Sequence, residues 1–140
     1  MAHALYGYDG PCKNIHGHTY ELTVTLKGKI FNEPLHPKDG MVIDFTIFKQ
    51  IVKQQIIDVF DHALVLNANS EHAYLKGLDE QFEKINFVPY QPSCENLLLD
   101  FLQKLQAHFP ENIKVCELKL YETPTSYAVW YDTDNLVTKT

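Results

Sequence analysis

Cysteine is scarce in this 140-residue sequence, and the three present, Cys12, Cys94 and Cys116, are odd in number and without paired spacing. That count and spacing argue against a disulfide framework, and reduced thiols are expected. Dense basic runs are also missing: the 12 Lys+Arg residues are scattered, and the formal net charge is −6. That balance argues against a nucleic-acid or anionic-membrane surface. No apolar stretch approaches the roughly 18 residues that span a bilayer, and the N-terminus has no charged-then-apolar signal pattern. A soluble cytoplasmic protein is the expectation. There is no internal repeat and no low-complexity segment.

What is present is a 45% hydrophobic fraction, enough for one domain with a real core over residues 1–140. The chain is organised around Cys12-Lys13-Asn14-Ile15-His16-Gly17-His18, which leads into an alternating run. Strand alternation puts His16, His18, Tyr20, Leu22, Val24 and Leu26 on one face. Two imidazoles thus open an apolar face, suited either to gripping one metal ion or to capping a strand end in solvent. Upstream, His3 offers a third ligand, and three protein ligands are the pattern of a catalytic zinc site with an open position.

The pattern predicts a first strand from His18 to about Lys29, and a turn through Pro34, Pro37 and Asp39-Gly40 that returns the chain as a hairpin into Met41-Val42-Ile43. Asp44 caps a helix from about Phe45 to Phe60 whose apolar stripe includes Phe48, Ile51, Val52, Ile56, Val59 and Phe60. Residues Glu71 to Asn86 read as a short helix within a long connection. Ser93 caps a second long helix, ended by Pro110, and strands over Ile113 to Glu122 and Ser126 to Asp132 close the fold before a polar tail, Thr133 to Thr140. An α+β fold follows: an antiparallel sheet with both long helices on one face.

Reactive side chains gather at element ends. Cys12 lies among glycine, proline and lysine, so it is either a nucleophile or proton acceptor, or a surface cysteine without a role. Cys94 and Cys116 read as structural. Asp61-His62 ends the first long helix, where it either relays protons or interacts with the helix carbonyls. Glu95 opens the second long helix, as a first-turn acid or a functional carboxylate. Glu122 follows Cys116, Leu118 and Leu120 on one predicted face, where an unpaired carboxylate costs several kcal/mol and calls for N–H donors such as those of a heterocycle.

Together, Ala2-His3-Ala4-Leu5, Cys12-x-x-x-His16-Gly17-His18, Gly40 to Phe45, Phe60-Asp61-His62, Pro92 to Asn96 and Tyr121-Glu122-Thr123 resemble the family of 6-pyruvoyl- and 6-carboxy-tetrahydropterin synthases. The resemblance implies a tunnelling fold, with a four-stranded antiparallel sheet and two helices per subunit, trimers closing a barrel, and hexamers made from two trimers. It implies Zn2+ on His3, His16 and His18, with Cys12 as the catalytic cysteine. Asp61 and His62 match the catalytic pair, supplied across a subunit boundary, Glu122 matches the acid that works with them, and Glu95 matches a pterin anchor. The implied substrate is 7,8-dihydroneopterin triphosphate. The short interval between Cys12 and His16 is similar to the carboxy-forming branch of queuosine and deazapurine biosynthesis; the alternatives are the pyruvoyl-forming reaction or a non-catalytic pterin-binding zinc protein. Lys13 is a candidate for the triphosphate. Two departures stand out. Only two residues precede His3, so a loosely held His3 is expected, and Cys94 takes the place of a small hydroxyl residue.

Overall fold

The computed structural model describes residues 1–135, and the last residues of the polar tail lie outside the described part. Three strands form an antiparallel sheet in the order β3 (Glu21–Gly28), β6 (Ile113–Thr123), β7 (Ser126–Tyr131). One face carries Tyr20, Leu22, Val24 and Leu26 from the β3 side, Leu118 and Leu120 from β6, and Ala128 and Trp130 from β7. Both long helical segments pack on that face. The first comprises α1 (Phe45–Val52), a π-helical turn (Lys53–Ile57) and α2 (Asp58–Phe60); the second is α4 (Cys94–His108). Leu97, Leu105, Leu118 and Val65 are fully buried between these layers.

The expected caps are in place. The Asp44 carboxylate accepts from the Thr46 amide at 2.8 Å, and the Ser93 hydroxyl accepts from the Asn96 amide at 3.3 Å, so each satisfies a helix donor that has no partner within the helix. The π turn is an addition to the predicted helix. One extra residue per turn shifts the apolar stripe, so Ile56 and Phe60 are buried while Val59 and Ile57 remain exposed.

A four-stranded antiparallel sheet is not what forms. The return segment Met41-Val42-Ile43 makes no ladder; its closure is limited to Phe31 N–H donating to Met41 O and Gly40 N–H donating to Phe31 O, both at 2.8 Å. Pro34 and Pro37 remove two backbone donors from this excursion, which leaves a loop rather than a strand pair. In place of a fourth strand there is a second, mixed sheet of short strands in the order β2 (His16–Gly17), β1 (Ala2–His3), β4 (Leu64–Asn67), β5 (Ile85–Val88). The first pair is antiparallel and the other two are parallel. Strand β4 is buried on both faces: Ala63 and Val65 join the main core, and Leu64 and Leu66 form a smaller cluster with Ala4. This double burial explains its unbroken apolar run. The segment expected as helix and connection holds a 3-10 turn at Glu71–Tyr74, α3 (Leu78–Gln81) and β5.

A second correction concerns the faces of β6. Thr25 pairs with Glu117 and Leu26 with Val115, so Cys116 is the extra residue of a β-bulge. The bulge reverses the side-chain parity. Ile113 and Val115 are buried before it and Leu118 and Leu120 after it, while Cys116 is only half-buried.

No helix among the described residues is long and apolar enough to cross a membrane.

Candidate metal centre

Three imidazoles meet where the short mixed sheet joins the larger one. His3 and His16 are directly opposite each other in the β1–β2 pair, and His18 follows, its amide donating to Met1 O at 3.1 Å. Their ligand nitrogens all lie within 4.8 Å of one another, and no other group of three His, Cys, Asp or Glu side chains converges this way among the described residues. His3 is 1% exposed, so the expectation of a loose first ligand is overturned. Pairing on both sides of β1, to β2 and β4, holds a strand of only two residues.

Hydrogen bonds settle which nitrogens are free. His3 Nδ1 donates to Pro92 O at 2.7 Å and His16 Nδ1 to Asn14 O at 2.8 Å, which leaves both Nε2 atoms as lone-pair acceptors. These two Nε2 atoms face each other at 3.1 Å. Burial, partly opposed by the Pro92 carbonyl, holds the His3 imidazole below its ordinary pKa, so a shared proton is disfavoured. Two facing acceptors at that separation are suited to sharing a cation. The His3 and His16 rings are thus each oriented through the second nitrogen by a carbonyl, as protein zinc ligands commonly are. The donor set therefore fits Zn2+ with three protein ligands and an open position.

Glu122 completes the cluster. Its Oε1 lies 3.5 Å from His3 Nε2 and 3.7 Å from His18 Nε2, and accepts a hydrogen bond from the Tyr20 hydroxyl at 2.9 Å. Thus the carboxylate expected to await a heterocycle already has a donor within the chain. Burial, and then the Glu122 charge, push the Tyr20 phenol well above its ordinary value, so it remains a donor. Tyr20 is the functional candidate that periodicity alone missed: alternation placed it on the histidine face, where it counted as core.

The remaining predicted residues are arranged less tightly. Cys12 is half-buried in the 3-10 turn Pro11–Lys13, near enough to act electrostatically on Tyr20. Lys13 beside it is exposed. Cys94 is buried, its thiol donating to Leu120 O at 3.3 Å and pushed up to about 11 by burial, which fits a structural role. Glu95 is exposed, without a hydrogen bond or salt bridge among the described residues. Asp61 and His62 are both exposed and are in direct contact, Oδ2 to Nδ1 at 3.0 Å, and the His62 partner holds the Asp61 carboxyl below its usual range. His62 takes φ 57, a left-handed conformation uncommon for a residue with a side chain. The turn is fixed from β5 and the residue before it: Lys84 Nζ donates to Asp58 O and Asp61 O, both at 2.7 Å, and Asn86 Nδ2 donates to Val59 O at 2.6 Å. No hydrogen bond joins this pair to the histidine cluster, but a cleft of about 670 Å³ has His18, Tyr20, Asp61 and His62 in its walls.

The fold agrees with known proteins. A family model described as 6-pyruvoyl tetrahydropterin synthase matches residues 1–133. The 6-carboxy-5,6,7,8-tetrahydropterin synthase of Haemophilus influenzae is 34% identical over 134 residues, covering 94% of this chain and 92% of that protein. The protein of the same name from Rickettsia felis is 31% identical over 135 residues, covering 89% and 88%. Among solved structures, an uncharacterized protein from Wolinella succinogenes matches with TM-score 0.74 at 20% identity, covering 94% of this chain and 92% of that one. The 6-pyruvoyl tetrahydropterin synthase of Plasmodium vivax matches with TM-score 0.67 at 23% identity, covering 92% and 87%. These two structures share the fold, while the sequence match runs through both the histidine segment and the Glu122 strand. On that breadth of agreement, this chain belongs to the 6-pyruvoyl tetrahydropterin synthase family.

Proposed function

We propose that this protein is a zinc-dependent 6-carboxy-tetrahydropterin synthase that converts 7,8-dihydroneopterin triphosphate and water to 6-carboxy-5,6,7,8-tetrahydropterin, acetaldehyde and triphosphate, a step of queuosine and deazapurine biosynthesis. The observation that carries the reading is the convergence of three imidazoles, His3, His16 and His18, in a chain similar to proteins named 6-carboxy-tetrahydropterin synthase. Those three residues would hold Zn2+, which when bound supplies Lewis-acid polarisation of substrate side-chain oxygens.

The protein groups divide the other tasks. Cys12 acts as the proton acceptor from the substrate side chain. Asp61 orients His62 through their 3.0 Å contact, and His62 moves protons at the mouth of the cleft. The pair is exposed in the single chain, which favours its serving a neighbouring subunit in a homo-oligomer, a trimer or a hexamer of two trimers. Glu95 and Glu122 offer carboxylates to the N–H edge of the pterin. The sequence contains no arginine, so lysines must meet the triphosphate, and Lys13 next to Cys12 is the candidate.

The test is a product assay on purified, zinc-loaded protein given 7,8-dihydroneopterin triphosphate. Acetaldehyde and a carboxylated pterin are expected. A pyruvoyl pterin would move the protein to the other reaction of the family, and stoichiometric zinc without turnover of any pterin would make it a binding protein.

A further inference from the structure

The contact between Tyr20 and Glu122 has a role beyond packing. Four atoms able to ligate a cation crowd this corner of the fold: the Nε2 atoms of His3 and His16, 3.1 Å apart, the Nε2 of His18, and the Oε1 of Glu122, at 3.5 and 3.7 Å from the nitrogens of His3 and His18. A carboxylate so placed is repelled by imidazole lone pairs when no cation is present, and attracted strongly when one is. Left alone, a glutamate on an edge of this cluster would turn its oxygens away. The Tyr20 hydroxyl prevents that by donating to Oε1 at 2.9 Å from the face of the neighbouring chain segment. Tyr20 is itself fixed, packed against the main core and edge-on to His3 and His18, with ring centroids 6.1 and 5.7 Å away. The register explains why these two meet: Glu21 pairs with Tyr121, so the next residues outward, Tyr20 and Glu122, are cross-strand neighbours at the end of the ladder.

We propose that Tyr20 is a positioning residue which holds the Glu122 carboxylate against the three-histidine cluster, so that a bound divalent cation meets a fixed negative charge as well as three imidazoles. This rests on the metal reading given above but not on turnover. Tyr20 acts only through Glu122, and its hydroxyl is the part that matters. The ring is a separate, structural contribution.

A double-mutant cycle on the full chain separates the two. The variants are Tyr20→Phe, Glu122→Gln and the pair together, each metal-free and then titrated with Zn2+ against a chromophoric chelator, with Co2+ as a spectroscopic probe of ligand geometry. Tyr20→Phe keeps the ring, and near-native thermal unfolding of the metal-free variant checks that it folds. Loss of a group that orients the metal's surroundings commonly costs on the order of tenfold in affinity. Tyr20→Phe is expected to weaken Zn2+ binding by about that factor and to alter the Co2+ absorption bands, as is Glu122→Gln. Adding Tyr20→Phe to Glu122→Gln is then expected to change nothing further. Wild-type affinity in Tyr20→Phe, or losses that multiply in the double variant, would overturn the proposal. Since metal affinity is read directly, a protein that turns over no pterin can still pass or fail this test, and the enzymatic reading then fails by itself.

Discussion

Acidifying the metal-free protein should unfold it earlier than a chain of this composition otherwise would, and His3 is the reason. The residue is 1% exposed, and desolvation is the largest influence on its ring, lowering its pKa below the ordinary 6.5 of a histidine; the Pro92 carbonyl opposes this only in part. The unfolded chain therefore binds a proton at His3 over a pH range in which the folded chain does not. With more protons bound to the unfolded state, stability rises with pH, so it must fall as pH drops through 6.5 and continue to fall until the folded ring also protonates. One such site contributes a slope of up to about 1.4 kcal/mol per pH unit. The assay is urea unfolding of the chelator-treated protein at a series of pH values from neutral to mildly acidic, comparing midpoints at constant m. The control is His3→Asn, which keeps an N–H donor near Pro92 O but cannot titrate. Its profile should be flatter by as much as one proton. Identical slopes in the two proteins, or a wild type that gains stability on acidification, would refute the assignment of a buried neutral imidazole. Saturating Zn2+ should raise the curve by about 2.7 kcal/mol when free metal is a hundred times its dissociation constant, and lower pH should erode that gain as protons compete for the same nitrogens.

Three further outcomes follow from individual contacts. Replacing His62 by glycine relieves the left-handed backbone at φ 57, so Tm should rise by about 3 °C, corresponding to ~1 kcal/mol, while turnover of dihydroneopterin triphosphate is lost; a fall in Tm would show that the side chain stabilises the turn. Cys12→Ala should reduce turnover by at least about 100-fold with zinc content and melting unchanged, and near-wild-type turnover would exclude Cys12 as the base. Leu118→Ala, at a fully buried position of the main core, should cost about 3 kcal/mol in urea unfolding without changing zinc stoichiometry, a loss below about 1 kcal/mol being evidence that the core collapses around the cavity.

The parts of this architecture that could be read from the chain are those in which one element buries one face over many residues. The β3 alternation from Tyr20 to Leu26, the stripe on α4 and the caps at Asp44 and Ser93 are local signals that the surrounding structure reinforces. The mixed sheet gave no such signal. Two-residue strands such as β1 and β2 have no period of their own and exist because His3 and His16 are held in register by partners distant in sequence. Ile85 and Asn86 fall inside the segment read as a short helix and its connection, and residues 85–88 become a strand only because β4 provides an edge for parallel pairing. The bulge at Cys116 was equally invisible, since it reflects a mismatch between β6 and β3 rather than anything in β6 alone. For the site, residue types and spacing brought His3, His16 and His18 together correctly, and strand alternation put Glu122 near an apolar face even though the parity behind it was broken upstream. What alternation could not supply was the identity of the group answering that carboxylate. It proved to be Tyr20 from the adjacent strand end.

This places the candidate metal centre at the joint between the two sheets, with consequences for how firmly the smaller one is held. A sheet whose β1 and β2 strands are two residues long has too few ladder bonds to persist by itself. The bond from His3 Nδ1 to Pro92 O ties β1 to the residues that open α4, hence to the main core, and Glu122 at the end of β6 approaches from the other sheet. The same His3 ring that anchors β1 through one nitrogen offers the other to a cation. A divalent ion held by His3, His16 and His18 would therefore cross-link β1, β2 and the chain entering β3 at the point where backbone pairing is thinnest. Binding of such an ion and the ordering of this corner would then be one equilibrium, the free energy of the first going partly into the second.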